Sequence, residues 1–270
     1  MSNFSKVIGS FRNKVIRSLK NGGFISLYRQ LKVFFLIKTS KKTEFHFVQD
    51  YQKRVKNLIR SYPIDEAMSL AVGGNYFEIG NIEKDILLQY GLKPNMSIVD
   101  YGCGSGRLAH ALPIEYNINY IGIDILDELI NYAKTKSPAN YKFIKHRKLS
   151  VPLNSESADM ICAFSVFTHL LHEESYIYIE DMKRVLKKGG KLVFSFCEFG
   201  LPEHWPVFLS TVDNQRIGIL PDLNTFIEKS VIKIWAERLE FKLLEMVDGN
   251  NKKFNGKCLG QSLAILEKPE

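Results

Sequence analysis

The sequence is poor in the features that mark membrane-spanning, secreted or metal-bound proteins. Wholly apolar runs reach only five residues, as at Val33 to Ile37, whereas a membrane-spanning helix needs about 20. Charges interrupt every apolar stretch, so no secretory signal pattern opens the chain. Four cysteines occur in 270 residues, Cys103, Cys162, Cys197 and Cys258, with no CxxC pairing. That argues against a disulfide framework or a zinc site. It leads us to expect no metal and a reduced, cytoplasmic setting. The composition, 45% apolar and 24% charged, is that of an ordinary globular chain rather than a disordered or collagen-like one.

Acidic residues are missing from one region. Residues 1–43 hold ten Lys or Arg and no Asp or Glu, which leaves 27 basic against 29 acidic residues in the rest. The net charge of +8 is therefore a basic head on a nearly neutral body, and a nucleic-acid partner is not expected, since no aromatic-basic recognition module accompanies the head. Phe4, Val7, Ile8, Phe11, Val15 and Leu19 recur at helical spacing. Asn21-Gly22-Gly23 then breaks the helix, and Phe24, Leu27, Tyr28, Leu31, Phe34 and Phe35 form a second stripe. Three readings stay open. The head lies on an anionic membrane on the inner face, where each Lys or Arg contributes about 1 kcal/mol; it packs as a cap on the body; or it is a cleaved targeting segment.

Beyond the head the chain alternates strand and helix patterns. Residues 1–50 read as a basic amphipathic helical extension, 51–95 as a helical cap and 96–270 as the main domain. Within them, 65–71 and 82–90 look helical, and strands are expected at 97–101, 120–124, 141–145, 160–164 and 191–196. Helices are expected at 107–112, 126–136 and 174–186, the last stopped by Lys187-Lys-Gly-Gly190. A helix over 224–239 and two strands, 242–247 and 261–266, follow. This pattern predicts an α/β fold with a doubly wound, mainly parallel sheet.

The sharpest motif is Val99-Asp-Tyr-Gly-Cys-Gly-Ser-Gly-Arg107, a glycine-rich turn directly after a strand. Glycines there permit a tight turn and a close approach of ligand to backbone. The G-x-G-x-G spacing, with an acid two residues before the first glycine, is not that of a phosphate loop. Asp124 ends the second strand, where a carboxylate can accept both hydroxyls of a ribose.

With these residues in view, the chain resembles the class I S-adenosylmethionine-dependent methyltransferases from about Asp65 to its C-terminus. The resemblance rests on VDYGCGSGRLAHAL (99–112), YIGIDIL (120–126), ADMICAFSVFTHL (158–170) and RVLKKGGKLVFSF (184–196). It implies a seven-stranded sheet whose last hairpin supplies an antiparallel strand, and S-adenosylmethionine as cofactor. By position, Asp100 and the loop residues Gly102, Cys103, Gly104, Ser105 and Gly106 would face the methionine end. Asp124 would hold the ribose and Ile125 would pack on the adenine, with Ser165 at the end of the fourth strand. The sequence departs from the pattern at Arg147, which stands roughly where an acid contacts the adenine amino group. A guanidinium cannot accept that hydrogen bond.

Methyl transfer to an alcohol also calls for a group that takes the proton. Candidates are His169, since histidine is the side chain suited to taking a proton near neutral pH, then His172 and His204; a structural, helix-capping role for His169 is the alternative. Trp205 is a candidate for stacking on an acceptor or for a lid. No N/D-P-P-Y motif and no Pro-Cys loop is present, which argues against amino methylation of adenine or glutamine and against cytosine-C5 chemistry. The sequence thus leads us to expect methyl transfer to a hydroxyl of a small-molecule or glycan acceptor, lipid-linked in one version. The alternatives are N- or C-methylation of a soluble metabolite, or a non-catalytic binding scaffold.

Overall fold

A computed structural model describes residues 46–219 and 223–270. The amphipathic segments expected within 1–43 lie outside the described residues. Phe45–Glu270 forms one compact unit. It opens with three helices, α1 (His46–Ser61), α2 (Ile64–Ala71) and α3 (Tyr76–Gln89). α1 runs across residue 50, and all three helices belong to the same unit as the sheet.

The sheet has seven strands in the order β3-β2-β1-β4-β5-β7-β6. They are β1 (Ser97–Tyr101), β2 (Asn119–Asp124), β3 (Lys142–Lys145), β4 (Ala158–Ala163), β5 (Leu186–Phe196), β6 (Lys242–Val247) and β7 (Ser262–Glu267). β7 runs antiparallel to both β5 and β6, and the pairs among β1 to β5 are parallel. The doubly wound expectation holds, including the antiparallel strand from the last hairpin. The central strands are apolar on both faces, as a sheet covered by helices on both sides requires. On β1, Val99 and Tyr101 enter one core cluster with Phe167, Tyr178 and Phe194, while Ile98 enters the other with Ile86, Leu108 and Met160. That is the two-residue period of a strand. β3, the edge strand, begins and ends on exposed lysines, which discourages further pairing.

Helices α4 (Arg107–Ala111), α5 (Asp127–Lys136), α6 (His172–Val185), α7 (Trp205–Arg216) and α8 (Lys229–Arg238) complete the unit. Several boundaries differ from expectation, α3 starting at Tyr76 rather than 82 among them, and two of these have a clear local reason. β5 starts at Leu186, before the Lys-Lys-Gly-Gly stretch, because Gly189 N–H reaches Lys268 O at 2.9 Å beside β7. α8 starts at Lys229, not 224, because the preceding residues are extended. Thr225 N–H donates to Thr168 O at 2.7 Å and Ile227 N–H to Cys197 O at 2.8 Å. Among the described residues no helix is long and apolar enough to cross a membrane.

Candidate active site

The strand order reverses between β1 and β4, and ligands of open α/β sheets sit at the carboxyl ends of the strands beside such a switch. A cavity of about 370 Å³ lies there, large enough for a cofactor-sized ligand. Its walls come from the ends of β1, β2 and β4, from the α1 residues Tyr51 and Arg54, and from the turn at Ala71–Gly73.

The glycine loop forms one wall. Gly104 (φ +53°) has no room for a side chain, since a Cβ would meet Val72 at 2.6 Å; at Gly106 (φ +86°) it would meet Ala133 at 2.7 Å. These positions need glycine both for the left-handed backbone and for the close approach of α2 and α5. The loop's amides are turned inward. Gly102 and Cys103 N–H both donate to Ile123 O, at 2.7 and 3.1 Å, and Gly106 N–H donates to Cys103 O. Gly104 N–H donates to Asp124 Oδ2 at 2.9 Å. The loop therefore shapes the cavity without offering these four amides to a ligand.

Asp124 is buried and accepts two further bonds at Oδ1, from Ile125 N–H at 2.7 Å and Leu126 N–H at 3.0 Å. Burial pushes its carboxyl upward, against the three amides that favour the ionised form. Oδ2 carries one bond and keeps acceptor capacity on the cavity side of β2. Asp100 is 4% exposed. Tyr120 donates to its Oδ2 at 2.6 Å and Cys162 Sγ lies 3.7 Å from Oδ1. Burial pushes Asp100 up to about 7. Behind it, Glu83 and Arg107 form a buried ion pair, Nε to Oε1 at 2.7 Å, and Arg107 Nη1 donates to Val72 O at 2.6 Å.

Ser165 follows β4 with φ +57°, an uncommon setting for a non-glycine residue. Its N–H donates to Ser195 Oγ at 2.7 Å, and both serine hydroxyls donate to Gln261 Oε1. His169 ends a short 3-10 turn (Phe167–His169), and its Nδ1 lies 2.9 Å from Leu223 O. A carbonyl only accepts, so Nδ1 carries the hydrogen and the lone pair is on Nε2.

The cavity thus brings together Asp100, Gly102, Cys103, Gly104, Asp124, Ile125, Ser165 and His169. It does not bring in the others. Ser105 is buried, its hydroxyl donating to Met68 O at 2.9 Å, and Gly106 packs on α5. Arg147 is turned to Ile125 O, to which its Nε donates at 2.8 Å; His146, one residue earlier, lines the cavity instead. Burial and the charge of Lys148 lower the His146 pKa, which favours the neutral ring. His172 starts α6 and donates from Nε2 to Phe226 O at 3.0 Å, outside the cavity. His204 is 2% exposed: its Nδ1 accepts Glu198 N–H at 3.0 Å, so Nε2 donates to Gly260 O at 3.0 Å. His172 and His204 thus stand outside the cavity lining, and backbone groups engage both ring nitrogens of His204. Trp205 is half-exposed in an aromatic cluster with Phe199 and Phe208, away from the cavity lining. Sequence reasoning missed Tyr51, Arg54, Glu83, Leu223 and Gln261, which reach the cavity from elements far from the motifs.

A family model described as a methyltransferase domain matches residues 99–194. An uncharacterised methyltransferase of Bacillus mycoides (strain KBAB4) is 30% identical over 120 residues, which cover 44% of this chain and 56% of that protein. The chain thus spans little more than half the length of the curated relatives it matches. Two solved structures share the fold. Magnesium protoporphyrin IX methyltransferase from Synechocystis PCC 6803, with bound SAH, has a TM-score of 0.57 at 16% identity, covering 83% of this chain and 96% of that one. A SAM-dependent methyltransferase from Methanosarcina mazei has a TM-score of 0.53 at 19% identity, covering 68% and 97%. S-adenosylmethionine, the cofactor of this class, suits the cavity: a buried carboxylate with a spare acceptor stands at the end of β2 and a second buried acid at the end of β1. Residues 99–194 thus resemble a methyltransferase domain, and the strand order is consistent with the fold shared with the solved methyltransferases.

Proposed function

We propose that this protein methylates a hydroxyl group of a small-molecule or glycan acceptor, with His169 as the general base. One observation carries the reading: among the three candidate histidines, His169 alone lines the cavity, and its bond to Leu223 O leaves Nε2 able to take a proton. When bound, the cofactor supplies an electrophilic methyl group on its sulfonium. Asp124 would hold the ribose, Ile125 would flank the adenine and Asp100 would offer a carboxylate to the ammonium of the methionine end. His169 Nε2 receives the hydroxyl proton as the acceptor oxygen attacks. Phe164, Val166 and Leu170 supply apolar wall beside His169.

The basic head adds a second element. Ten Lys or Arg without an acid in residues 1–43 favour attraction to anionic lipid, and with it a lipid-linked version of the acceptor. A transfer assay with labelled methyl donor against fractionated extracts tests both. Label in a base-stable lipid or polysaccharide fraction supports the hydroxyl reading; label confined to amines or to carbon overturns it. Flotation with anionic and neutral vesicles, with and without residues 1–43, tests the lipid-linked version, which equal recovery at low salt would remove.

A further inference from the structure

This inference rests on the methyl-transfer reading above and concerns the acceptor side of the same cavity. The glycine loop and Asp124 stand at the ends of β1 and β2, the side given to the cofactor. On the other side of β1 lie β4, β5 and β7, in that order. β7 is antiparallel to β5, with Ser262 opposite Phe196, so β7 begins at the carboxyl edge of the parallel strands. Gln261 directly precedes it and lines the cavity. Three strand spacings put its backbone about 14 Å across the sheet from β1.

The backbone at Gln261 is pinned. His204 Nε2 donates to Gly260 O at 3.0 Å, and Gly249 packs so closely that a Cβ on it would meet Gln261 C at 2.9 Å. The side chain is fixed as well. Ser195 Oγ donates to its Oε1 at 2.6 Å and Ser165 Oγ at 3.2 Å. Ser195 is fully buried, and its oxygen already accepts Ser165 N–H at 2.7 Å. Turning the amide round would set N–H groups against both hydroxyls. The Ser195 hydrogen would then be buried without an acceptor, which costs more than an ordinary hydrogen bond gains. Oε1 therefore faces the serines, and Nε2, with its two hydrogens, has no acceptor among the described residues. Other donors in the lining are engaged: Tyr51 Oη with Ala71 O, Tyr178 Oη with Lys148 O, and Arg107 with Glu83 and Val72 O.

We propose that Gln261 selects the acceptor: its Nε2 donates to an oxygen of the acceptor molecule, a carbonyl, carboxylate or second hydroxyl, other than the atom that is methylated. A donor held in place discriminates strongly, because a molecule that cannot meet it leaves it desolvated and unpaired. Phe164, Val166 and Leu170 offer such an oxygen no other partner. The consequence is a preference for polyoxygenated acceptors over simple alcohols, exerted from the start of β7, outside the motif-bearing segments.

Two substitutions in the full chain separate recognition from architecture. Gln261→Glu keeps an oxygen for Ser165 and Ser195 but turns an acceptor, not a donor, to the cavity. Gln261→Leu removes both functions. The probe is the extract fraction that takes up most label from methyl-labelled S-adenosylmethionine with the parent chain, titrated at mildly alkaline pH. Gln261→Glu is expected to lower kcat/KM for that fraction roughly tenfold or more, chiefly through KM, since two acceptors then face each other. Its thermal midpoint and its calorimetric affinity for S-adenosylhomocysteine should stay near the parent's. Gln261→Leu should lose activity in the same assay and thermal stability as well, because buried Ser195 loses its acceptor. A Gln261→Glu variant with the parent's kcat/KM would mean that only the hold on the serines matters. A loss of S-adenosylhomocysteine affinity in step with activity would put Gln261 on the cofactor. Each overturns the proposal. Failure of the methyl-transfer reading looks different: the parent then labels no fraction at all, and this inference goes with it.

Discussion

Tyr120 on β2 donates its phenol hydrogen to Asp100 on β1 across 2.6 Å, with both side chains nearly excluded from solvent. The ring of Tyr120 is fixed from behind by Tyr141, stacked at 4.7 Å. Asp100, which lines the cavity, is therefore held by a stacked aromatic pair rather than by a loop.

If Asp100 faces the cofactor's ammonium as proposed, binding should depend on pH. Asp100 is pushed up to about 7, chiefly by burial and further by nearby Glu83, while the Tyr120 phenol, Arg107 and the Cys162 thiol act the other way. A folded-state value above the unfolded one means the native state holds this proton more tightly. The group's contribution to stability is then full below the ordinary carboxyl range and falls as pH rises to about 7. An ammonium ligand favours the ionised form. Affinity for S-adenosylhomocysteine should increase with pH up to about 7 and level off above it. Tyr120→Phe should move the midpoint upward, and Asp100→Asn should flatten the profile. Calorimetric titration across this range checks it, and a flat parent profile would refute the role given to Asp100.

Asp124 is both a ligand group and a structural one. Asp124→Ala should remove thermal stabilisation by the cofactor, which follows mass action on the native state. It should also cost the free protein on the order of 3 kcal/mol, because three buried amides lose their acceptor. Asp124→Asn keeps one acceptor oxygen and should lie between. Denaturant midpoints measured with and without ligand separate the two effects. A variant as stable as the parent would show that the amides find other partners.

How much of this was legible in the sequence depends on whether the signal was local. β1 and β6 fall where the pattern put them, and the glycine loop and Asp124 announce themselves within a few residues. The misses are tertiary. Tyr51 and Arg54 reach the cavity only because α1 packs on α2 and on the corner after β2, and no motif marks that. Residues 224–228 have a helical look, but hydrogen bonds to Thr168 and Cys197 hold them extended. α7 went unforeseen because none of its side chains is buried, so it shows no one-sided apolar pattern against the core. Arg147 and His146 stand side by side, and only the observed bond of Arg147 to Ile125 O tells which of them faces the cavity.

The Glu83–Arg107 pair ties α3 to the residue that follows the glycine loop. Both side chains are almost wholly buried, so removing one charge leaves the other uncompensated. Glu83→Gln should destabilise the fold by about 3 kcal/mol, and Arg107→Gln by a similar amount. The double variant should lose clearly less than the sum, since no charge is stranded. Urea unfolding of the three variants measures this coupling. Strict additivity would mean that the pair is electrostatically idle.

Substituting the three histidines in turn tests which of them serves catalysis and which the fold. His204 bridges Glu198 and Gly260 inside the protein, so His204→Ala should cost about 2 kcal/mol from two unmade buried bonds, with kcat unchanged wherever the variant is folded. His172→Ala leaves the carbonyl of buried Phe226 without this donor and should cost about 1 kcal/mol while changing turnover little. His169→Ala removes the proton acceptor and is expected to lower kcat by about 10²- to 10⁴-fold, with affinity for S-adenosylhomocysteine nearly intact. Because His169 also holds Leu223, a loss of activity alone would be ambiguous. His169→Asn settles it, since an amide can still donate to the Leu223 carbonyl yet cannot take up a proton at neutral pH. If that variant turns over at the parent rate, the contact and not the base is what matters; if it is as slow as His169→Ala, the lone pair on Nε2 is doing the chemistry.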